Sequence, residues 1–286
     1  MLRTLPQVLI DPILERALEE DLGAGDITTE ACVAEGQHAL ARGVARKELV
    51  WCGADVARRV FELVDPSLHF EAMAAEGAKV APSTTLFSVK GSARAILMGE
   101  RVALNFVQRM SGVATLTRRY VNALPAASAT RITDTRKTTP GLRLLERYAV
   151  RQGGGFNHRW DLGSAVLIKD NHIVAAGGVR AAIESARKHA PHTSRIECEV
   201  DSLEELQEAL DARADIVLLD NMDTSTVREA VRLTRGRAVL EASGGITFER
   251  VAELARAGVD AISVGALTHA APAVDIGLDF EPRKPC

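Results

Sequence analysis

Aromatic side chains are scarce in this 286-residue chain. Two Trp, two Tyr and seven Phe make up 4% of it. Ala, Val and Leu must therefore fill the core that a hydrophobic share of 47% allows. Cysteine is scarce as well. Cys32, Cys52, Cys198 and Cys286 form no CxxC pair and no metal-ligand spacing. That pattern speaks against a disulfide framework and fits buried thiols in a reducing cytoplasm. No 18-residue apolar run and no signal-peptide pattern is present, so the expectation is a soluble, cytoplasmic protein with no membrane partner. An excess of either charge is also missing. With 35 Lys and Arg against 38 Asp and Glu, the net charge is −3, which offers nucleic acid no attracting field. A polyanion would have to be met locally. Neither a Walker loop nor a GxGxxG after a strand occurs, which removes two common phosphate cradles.

What is present is concentrated between Ile132 and His172. An apolar run, Ala129 to Ile132, stops at Asp134-Thr135-Arg136-Lys137. Pro140-Gly141 makes a turn, and Leu142, Leu145 and Ala149 mark one face of an amphipathic helix. Gly153, Gly154 and Gly155 lead into Asn157-His158-Arg159. A second apolar run, Ala165 to Ile168, ends in Lys169-Asp170-Asn171-His172. Arg136, Lys137, Arg159 and Lys169 converge only if both strands point the same way. That is parallel β/α structure with an anion site at the carboxyl ends of its strands. The bland alternative is that each cation is solvated surface, as charged side chains mostly are.

Ahead of this stretch, residues 5 to 20 read as a helix and Thr28-Thr29 as the start of an extended segment. Gln37 to Gly53 reads as strands and Ala54 to Val64 as a helix. Residues 68 to 94 look β-rich, with Glu76 to Pro82 and Thr85 to Lys90 resembling a hairpin. From Ala93 to Leu124 two helices are expected, separated at Met110-Ser111-Gly112.

Behind it, five apolar runs repeat: AVLIKDN, RIECEVD, DIVLLDN, AVLEASGG and DAISVGA. The last four end at Glu199, Asp220, Ser243 and Gly265, a step that suits a strand, a loop and a three-turn helix. Ser202 opens a capping box, Asp223 or Thr224 caps the next helix, and Thr247 the one after. Such βα units form a doubly wound sheet or a barrel. Short strands and uniform crossovers favour the barrel. Val274 to Phe280 looks like one more strand that returns to the first domain.

Each strand end suggests a task. Ser243-Gly244-Gly245 before a helix start at Thr247, with Gly265-Ala266 on the next strand, either cradles a phosphate or simply turns tightly. Glu199 and Asp220 suit ribose hydroxyls, Mg²⁺ or a cationic transition state. Glu197 shares a strand face with Glu199, and one of the pair has room for a structural role. His158, His172 and His269 lack the partners and spacing of a zinc site.

The motifs DTRKTTPGLR (Asp134 to Arg143), GGGFNHRWDL (Gly153 to Leu162), IKDNH (Ile168 to His172), EVD (Glu199 to Asp201), LLDN (Leu218 to Asn221), EASGGI (Glu241 to Ile246) and SVGALTH (Ser263 to His269) resemble the quinolinate phosphoribosyltransferase family. So does EDLGAGDIT (Glu20 to Thr28), and the likeness covers nearly the whole chain in order. The resemblance implies an α/β fold: an N-terminal open α/β sandwich, residues 1–112 joined by a strand at 273–286, plus an incomplete parallel α/β barrel of six or seven strands, residues 113–272. It implies transfer of phosphoribosyl from 5-phosphoribosyl-1-diphosphate to quinolinate with decarboxylation, with Mg²⁺ as cofactor.

Carried over by position, Arg136, Arg159 and Lys169 bind the quinolinate carboxylates with His158 nearby, Lys137 with Lys169 lies toward the phosphoribosyl diphosphate, and Thr135 is a further substrate-binding candidate. Lys137, Lys169, Glu199 and Asp220 are the catalytic candidates. Glu199 and Asp220 face ribose and, through water, Mg²⁺. Ser243, Gly244, Gly245, Val264, Gly265 and Ala266 cradle the 5′-phosphate, and His269 sits beside the diphosphate. The resemblance also implies a homodimer in which Arg101 reaches the neighbouring subunit's site. Three rivals stand beside this reading. A Schiff-base aldolase on Lys169 or Lys137 would be trapped by borohydride. A relative acting on nicotinate would leave one cation unpaired. A phosphosugar sensor would bind without releasing diphosphate.

Overall fold

The computed structural model describes residues 5–282, so Cys286 and the end of the expected 273–286 strand lie outside the described residues. In chain order the elements are α1 (Gln7–Leu22), α2 (Ile27–Cys32), β1 (His38–Ala45), β2 (Leu49–Val50), α3 (Ala54–Val64), β3 (His69–Ala72), β4 (Lys79–Val80), β5 (Thr85–Ser92) and α4 (Ala93–Asn122). Then come β6 (Arg131–Thr133), α5 (Arg143–Gln152), β7 (Val166–Ile168), α6 (Asp170–Ala176), α7 (Val179–His189), β8 (Ile196–Val200), α8 (Leu203–Asp211) and β9 (Ile216–Asp220). The chain ends with α9 (Thr224–Thr234), β10 (Val239–Ser243), α10 (Phe248–Ala257), β11 (Ala261–Ser263), α11 (Ala266–His269) and β12 (Ile276–Phe280). They fall into two compact units. One holds residues up to 116 with 139–154 and from 270 onward; the other holds 117–138 and 155–269.

In the first unit an antiparallel sheet runs in the order β12-β1-β5-β3, so the last strand does return to pair with the first. Its core is aromatic despite the overall scarcity: Phe87 lies 5.1 Å from Phe70 and 6.0 Å from Trp51, ring to ring. Helix α3 spans the expected residues. Its first turn is capped from a distance, because the Glu76 carboxylate accepts from the amides of Gly53 (2.6 Å) and Ala54 (3.3 Å).

Three local expectations fail here. Thr28-Thr29 lies in helix α2, because the Asp26 carboxylate accepts the Thr29 amide at 2.9 Å and nucleates a turn. β4 and β5 do not form a hairpin; β4 pairs with β2, and β5 pairs with β1 and β3. The two helices expected around Met110-Ser111-Gly112 are one helix, α4, 30 residues long. The small residues there serve close approach. The Ser111 hydroxyl bonds both the amide and the carbonyl of Cys52, and a methyl on Gly112 would lie 2.1 Å from the Pro272 carbonyl oxygen.

The second unit is a six-stranded, wholly parallel sheet in the order β6-β11-β10-β9-β8-β7. β6 and β7 form its two edges, so six strands make an incomplete barrel. Ile132, Ile183, Leu206, Val217, Leu254 and Ile262 are buried between strands and helices. The caps follow the sequence in part. Ser202 accepts the Glu205 amide, Asp223 accepts the Thr226 amide, and Thr247 occupies its N-cap position without a side-chain bond. At the amino ends of the strands, Asp215 Oδ2 accepts the Ile196 amide and Asp260 Oδ2 accepts the Leu240 amide, each at 2.8 Å. Their backbones extend the clamp: the Asp215 carbonyl accepts from Val239, and the Asp260 carbonyl from Arg131. Among the described residues no helix is long and apolar enough to cross a membrane.

The helix packing at Gly112 is testable. Gly112→Ala should destabilise the protein by about 1–3 kcal/mol, the usual range for overpacking against backbone that does not yield. Thermal unfolding would show this as a lowered Tm, and an unchanged Tm would mean that the contact relaxes freely.

Candidate active site

All six barrel strands point the same way, so their carboxyl ends meet at one rim. A cavity of about 550 Å³ opens there. Thr135, Arg136, Lys137, His158, Arg159, Lys169, Glu199, Asp220, Ser243, Gly244 and Gly245 all line it. Five more residues line it that the sequence had not marked: Leu167, Leu218, Asn221, Glu241 and Ser263. Four of them stand two residues before a marked strand-end position, on the same face of the strand. Leu167 precedes Lys169, Leu218 precedes Asp220, Glu241 precedes Ser243, and Ser263 precedes Gly265. That period was the signal available.

Val264, Gly265, Ala266 and His269 do not line the cavity, although Gly265 is adjacent. A methyl on Gly265 would lie 2.9 Å from Lys137 Cδ and 3.3 Å from the His269 ring. Arg101 lies on α4 in the first unit and is exposed.

The loop that carries His158 and Arg159 is tied to the outer edge of β6. Phe156 forms a parallel bridge with Thr133, donating to the Ile132 carbonyl and accepting from the Asp134 amide. Asp134, fully buried, then accepts the His158 amide at 2.8 Å and the Asn157 side chain at 2.6 Å. Arg159 is held at its other end by the Ala165 carbonyl at 3.1 Å. Burial, together with the nearby Arg136 charge, pushes the Arg159 guanidinium below its ordinary pKa. Two guanidiniums brought close enough to repel each other make a site for an anion. The buried Arg136 Nε has no hydrogen-bond partner among the described residues, and neither have the buried Ser263 Oγ and Glu241 Oε1. Such unsatisfied groups in one cavity wall mark where a polar ligand or ordered water belongs.

Across the rim, Lys169 Nζ donates to Glu199 Oε2 at 2.9 Å. The Lys169 amide donates to His172 Nδ1 at 3.0 Å, which gives His172 a structural task. Asp220 accepts from the Asn221 side chain at 2.7 Å. Glu199 and Asp220 offer hard carboxylate oxygens beside the cavity. Each has one oxygen already bonded, a donor set that suits Mg²⁺ held through its waters rather than by a full protein cage.

His158, Glu197 and Glu241 form a second cluster, with candidate ligand atoms within 4.8 Å of one another. The distances alone would admit a metal ion. The hydrogen bonding does not favour one. The Arg159 amide donates to His158 Nδ1 at 2.8 Å, so the ring proton of neutral His158 sits on Nε2 and leaves that nitrogen no lone pair to give. Nε2 faces Glu197 Oε2 at 3.2 Å and Glu241 Oε1 at 3.4 Å. Burial disfavours a charged ring, while the two carboxylates more than offset it and raise its pKa to about 10. A proton on Nδ1 would nevertheless turn two N–H groups toward each other. Burial, first, and the Glu241 charge also push the Glu197 carboxyl up, against the His158 hydrogen bond that lowers it.

At the glycine turn, Gly244 has φ +87° and a methyl there would lie 2.1 Å from the Asn221 side-chain oxygen. Gly245 follows at φ +56°, just ahead of helix α10.

Comparison with known proteins gives the class first: a phosphoribosyltransferase. The family model for the quinolinate phosphoribosyl transferase N-terminal domain matches residues 26–111, and that for its C-terminal domain matches residues 113–279. A probable nicotinate-nucleotide pyrophosphorylase [carboxylating] of Synechocystis sp. is 45% identical, over 96% of this chain and 94% of its own. The nicotinate-nucleotide pyrophosphorylase [carboxylating] of Mycobacterium leprae is 44% identical, over 93% and 95%. The solved nicotinate-nucleotide pyrophosphorylase from Francisella tularensis superposes with a TM-score of 0.93 at 40% identity, covering 97% of this chain and 98% of that one. The chain belongs to the quinolinate phosphoribosyltransferase family.

Gly244→Ala should force a left-handed residue to carry a side chain, at about 1–2 kcal/mol, and displace Asn221. Calorimetry with inorganic phosphate is expected to show weakened binding. Phosphate affinity equal to that of the wild type would take this turn out of the site.

Proposed function

We propose that the barrel cavity is where quinolinate and 5-phosphoribosyl-1-diphosphate meet. The reaction transfers phosphoribosyl to the quinolinate nitrogen with loss of CO₂, giving nicotinate mononucleotide and diphosphate, a step of NAD biosynthesis. The observation that carries the assignment is the close placement of Arg136 and Arg159 on a shared cavity wall, with Arg136 Nε unsatisfied. A planar dianion with adjacent carboxylates supplies the charge that this pair lacks, in the bidentate geometry guanidinium favours. Lys169 completes the cationic side, and Lys137 lies toward the diphosphate.

Departure of diphosphate from the ribose builds positive charge at the anomeric carbon. Glu199 and Asp220 stabilise that charge and hold the ribose hydroxyls. Fixing the pyridine nitrogen in line contributes about 7 kcal/mol or more. Ser243, Gly244 and Gly245 receive the 5′-phosphate ahead of α10, with Gly265, Ala266, Val264 and His269 on the neighbouring strand end and Thr135 across from them. Glu199 and Asp220 would hold Mg²⁺ through water, and the ion would supply positive charge for the leaving diphosphate. Once the ring nitrogen is cationic, it accepts the electron pair that CO₂ leaves behind. A cytoplasmic setting belongs to the same reading and accords with the buried, unbridged thiols of Cys52 and Cys198.

Release of diphosphate and CO₂ should occur with quinolinate and not with nicotinate. Arg159→Ala should raise the quinolinate KM at least about 10-fold or abolish turnover, with the fold intact by circular dichroism. Unchanged kinetics would remove Arg159 from the site, and equal turnover of nicotinate would refute the substrate.

The homodimer is part of the proposal, with exposed Arg101 serving the partner's cavity. Mixed and reassembled Arg101→Ala and Arg159→Ala chains, each inactive alone, should recover about a quarter of wild-type turnover, because half of the dimers regain one intact site. No recovery from verified mixed dimers would mean that Arg101 does not serve the partner's cavity.

A further inference from the structure

Three carboxylates are buried at the anion-binding wall, with Glu241 also lining the cavity. Asp134, Glu197 and Glu241 are 0%, 4% and 6% exposed. Acids placed there weaken a site for a dianion through like-charge repulsion, and buried carboxylates cost stability unless they are fully bonded. Their bonds show what they do instead. Asp134 takes the His158 amide on one oxygen and the Asn157 side chain on the other. Glu197 accepts from His158 Nε2, with Glu241 Oε1 3.4 Å from the same nitrogen. The opposite ring nitrogen, Nδ1, receives the Arg159 amide at 2.8 Å. Both nitrogens of His158 are thus engaged inside the protein, and the ring joins buried acids to the backbone of Arg159.

We propose that Glu197, with the Glu241 charge beside it, is a positioning residue that holds His158 as its Nε2–H tautomer while Asp134 holds the loop backbone, so that Nδ1 fixes the Arg159 backbone and aims its guanidinium into the cavity. This rests on the assignment of Arg159 to quinolinate made above. The chain of contacts runs from strands β8 and β10 through one imidazole to one amide, with Asp134 after β6 holding the same loop by its backbone. If the ring changed tautomer, an N–H would face the Arg159 N–H, and if it flipped, a C–H would; either way the amide would lose its acceptor. His158 then acts on Arg159 from within the cavity wall that both residues line. The same tie explains why the loop keeps its form while fastened to a single strand edge, with its other anchor at Ala165.

The first test needs no variant. Imidazole ¹⁵N NMR of the wild-type protein at neutral pH should show His158 protonated on Nε2 and unprotonated on Nδ1, with and without quinolinate. A doubly protonated ring, or a proton on Nδ1, overturns the proposal. The second test separates positioning from general damage. Glu197→Ala removes the acceptor and should raise the quinolinate KM about 10-fold or more, with kcat and the phosphoribosyl diphosphate KM within about 3-fold of wild type. Glu197→Gln keeps an acceptor oxygen and should restore the quinolinate KM. A fall in kcat alone, or Glu197→Gln as impaired as Glu197→Ala, overturns it. Should Glu197→Ala fail to fold, Asp134→Asn, which loses one of two acceptor sites, carries the same KM prediction. A wild-type protein without quinolinate turnover would refute the substrate assignment and leave the tautomer result standing, so the two failures are told apart.

Discussion

Six strands running in one direction are the constraint on which the site depends. Parallel pairing forces each connection to cross back over the sheet, so every strand delivers its last residues to the same rim. Registration does the rest. Asp220 lies abreast of Ser243, and Leu218 abreast of both Glu199 and Glu241. Residues more than 100 positions apart in the chain, such as Arg136 and Ser243, therefore share one cavity wall without any long-range device beyond the backbone ladder. Reversing one strand would carry its charged end to the opposite side.

The cavity has a rim and a floor with different tasks. Rim residues are charged and partly exposed: Lys137, Lys169, Glu199 and Asp220 belong there. The floor is buried and nearly all of its charge is negative. That inversion is physically informative. A floor of cations would bind dianions more tightly but would repel itself in the empty protein. Acids beneath cations lower that repulsion and give the positively charged loop fixed acceptors for its amides.

Much of this was legible in the residues. The βα repeat, the strand-end charges and the glycine turn were readable because period-two alternation and crossover spacing leave marks within short windows. The family motifs supplied the reaction, and the fold agrees with them. The errors had local causes. Gly112 looked like a helix break, because a lone sequence cannot distinguish a glycine chosen for conformation from one chosen to admit the Pro272 carbonyl. Thr28-Thr29 looked extended on β-propensity, which the Asp26 cap overrode. The second layer of the site, Glu241 and Ser263 with Leu167 and Leu218, was passed over because strand ends drew attention from the positions two residues earlier. Asp134 was quoted within a motif, yet its use as an acceptor for the His158 loop depends on a bridge at Phe156 that no spacing announces.

The aspartates at the far ends of the strands carry a consequence for how such a protein can change. Asp215 and Asp260 lock neighbouring strands at their starting points, on the side of the sheet away from the cavity. Alignment is thereby set at the end of the sheet opposite the candidate site. Loops at the working end are left to lengthen, shorten or exchange side chains without letting the ladder slip. Diversification of the chemistry is mechanically uncoupled from maintenance of the scaffold, and drift in one need not be compensated in the other.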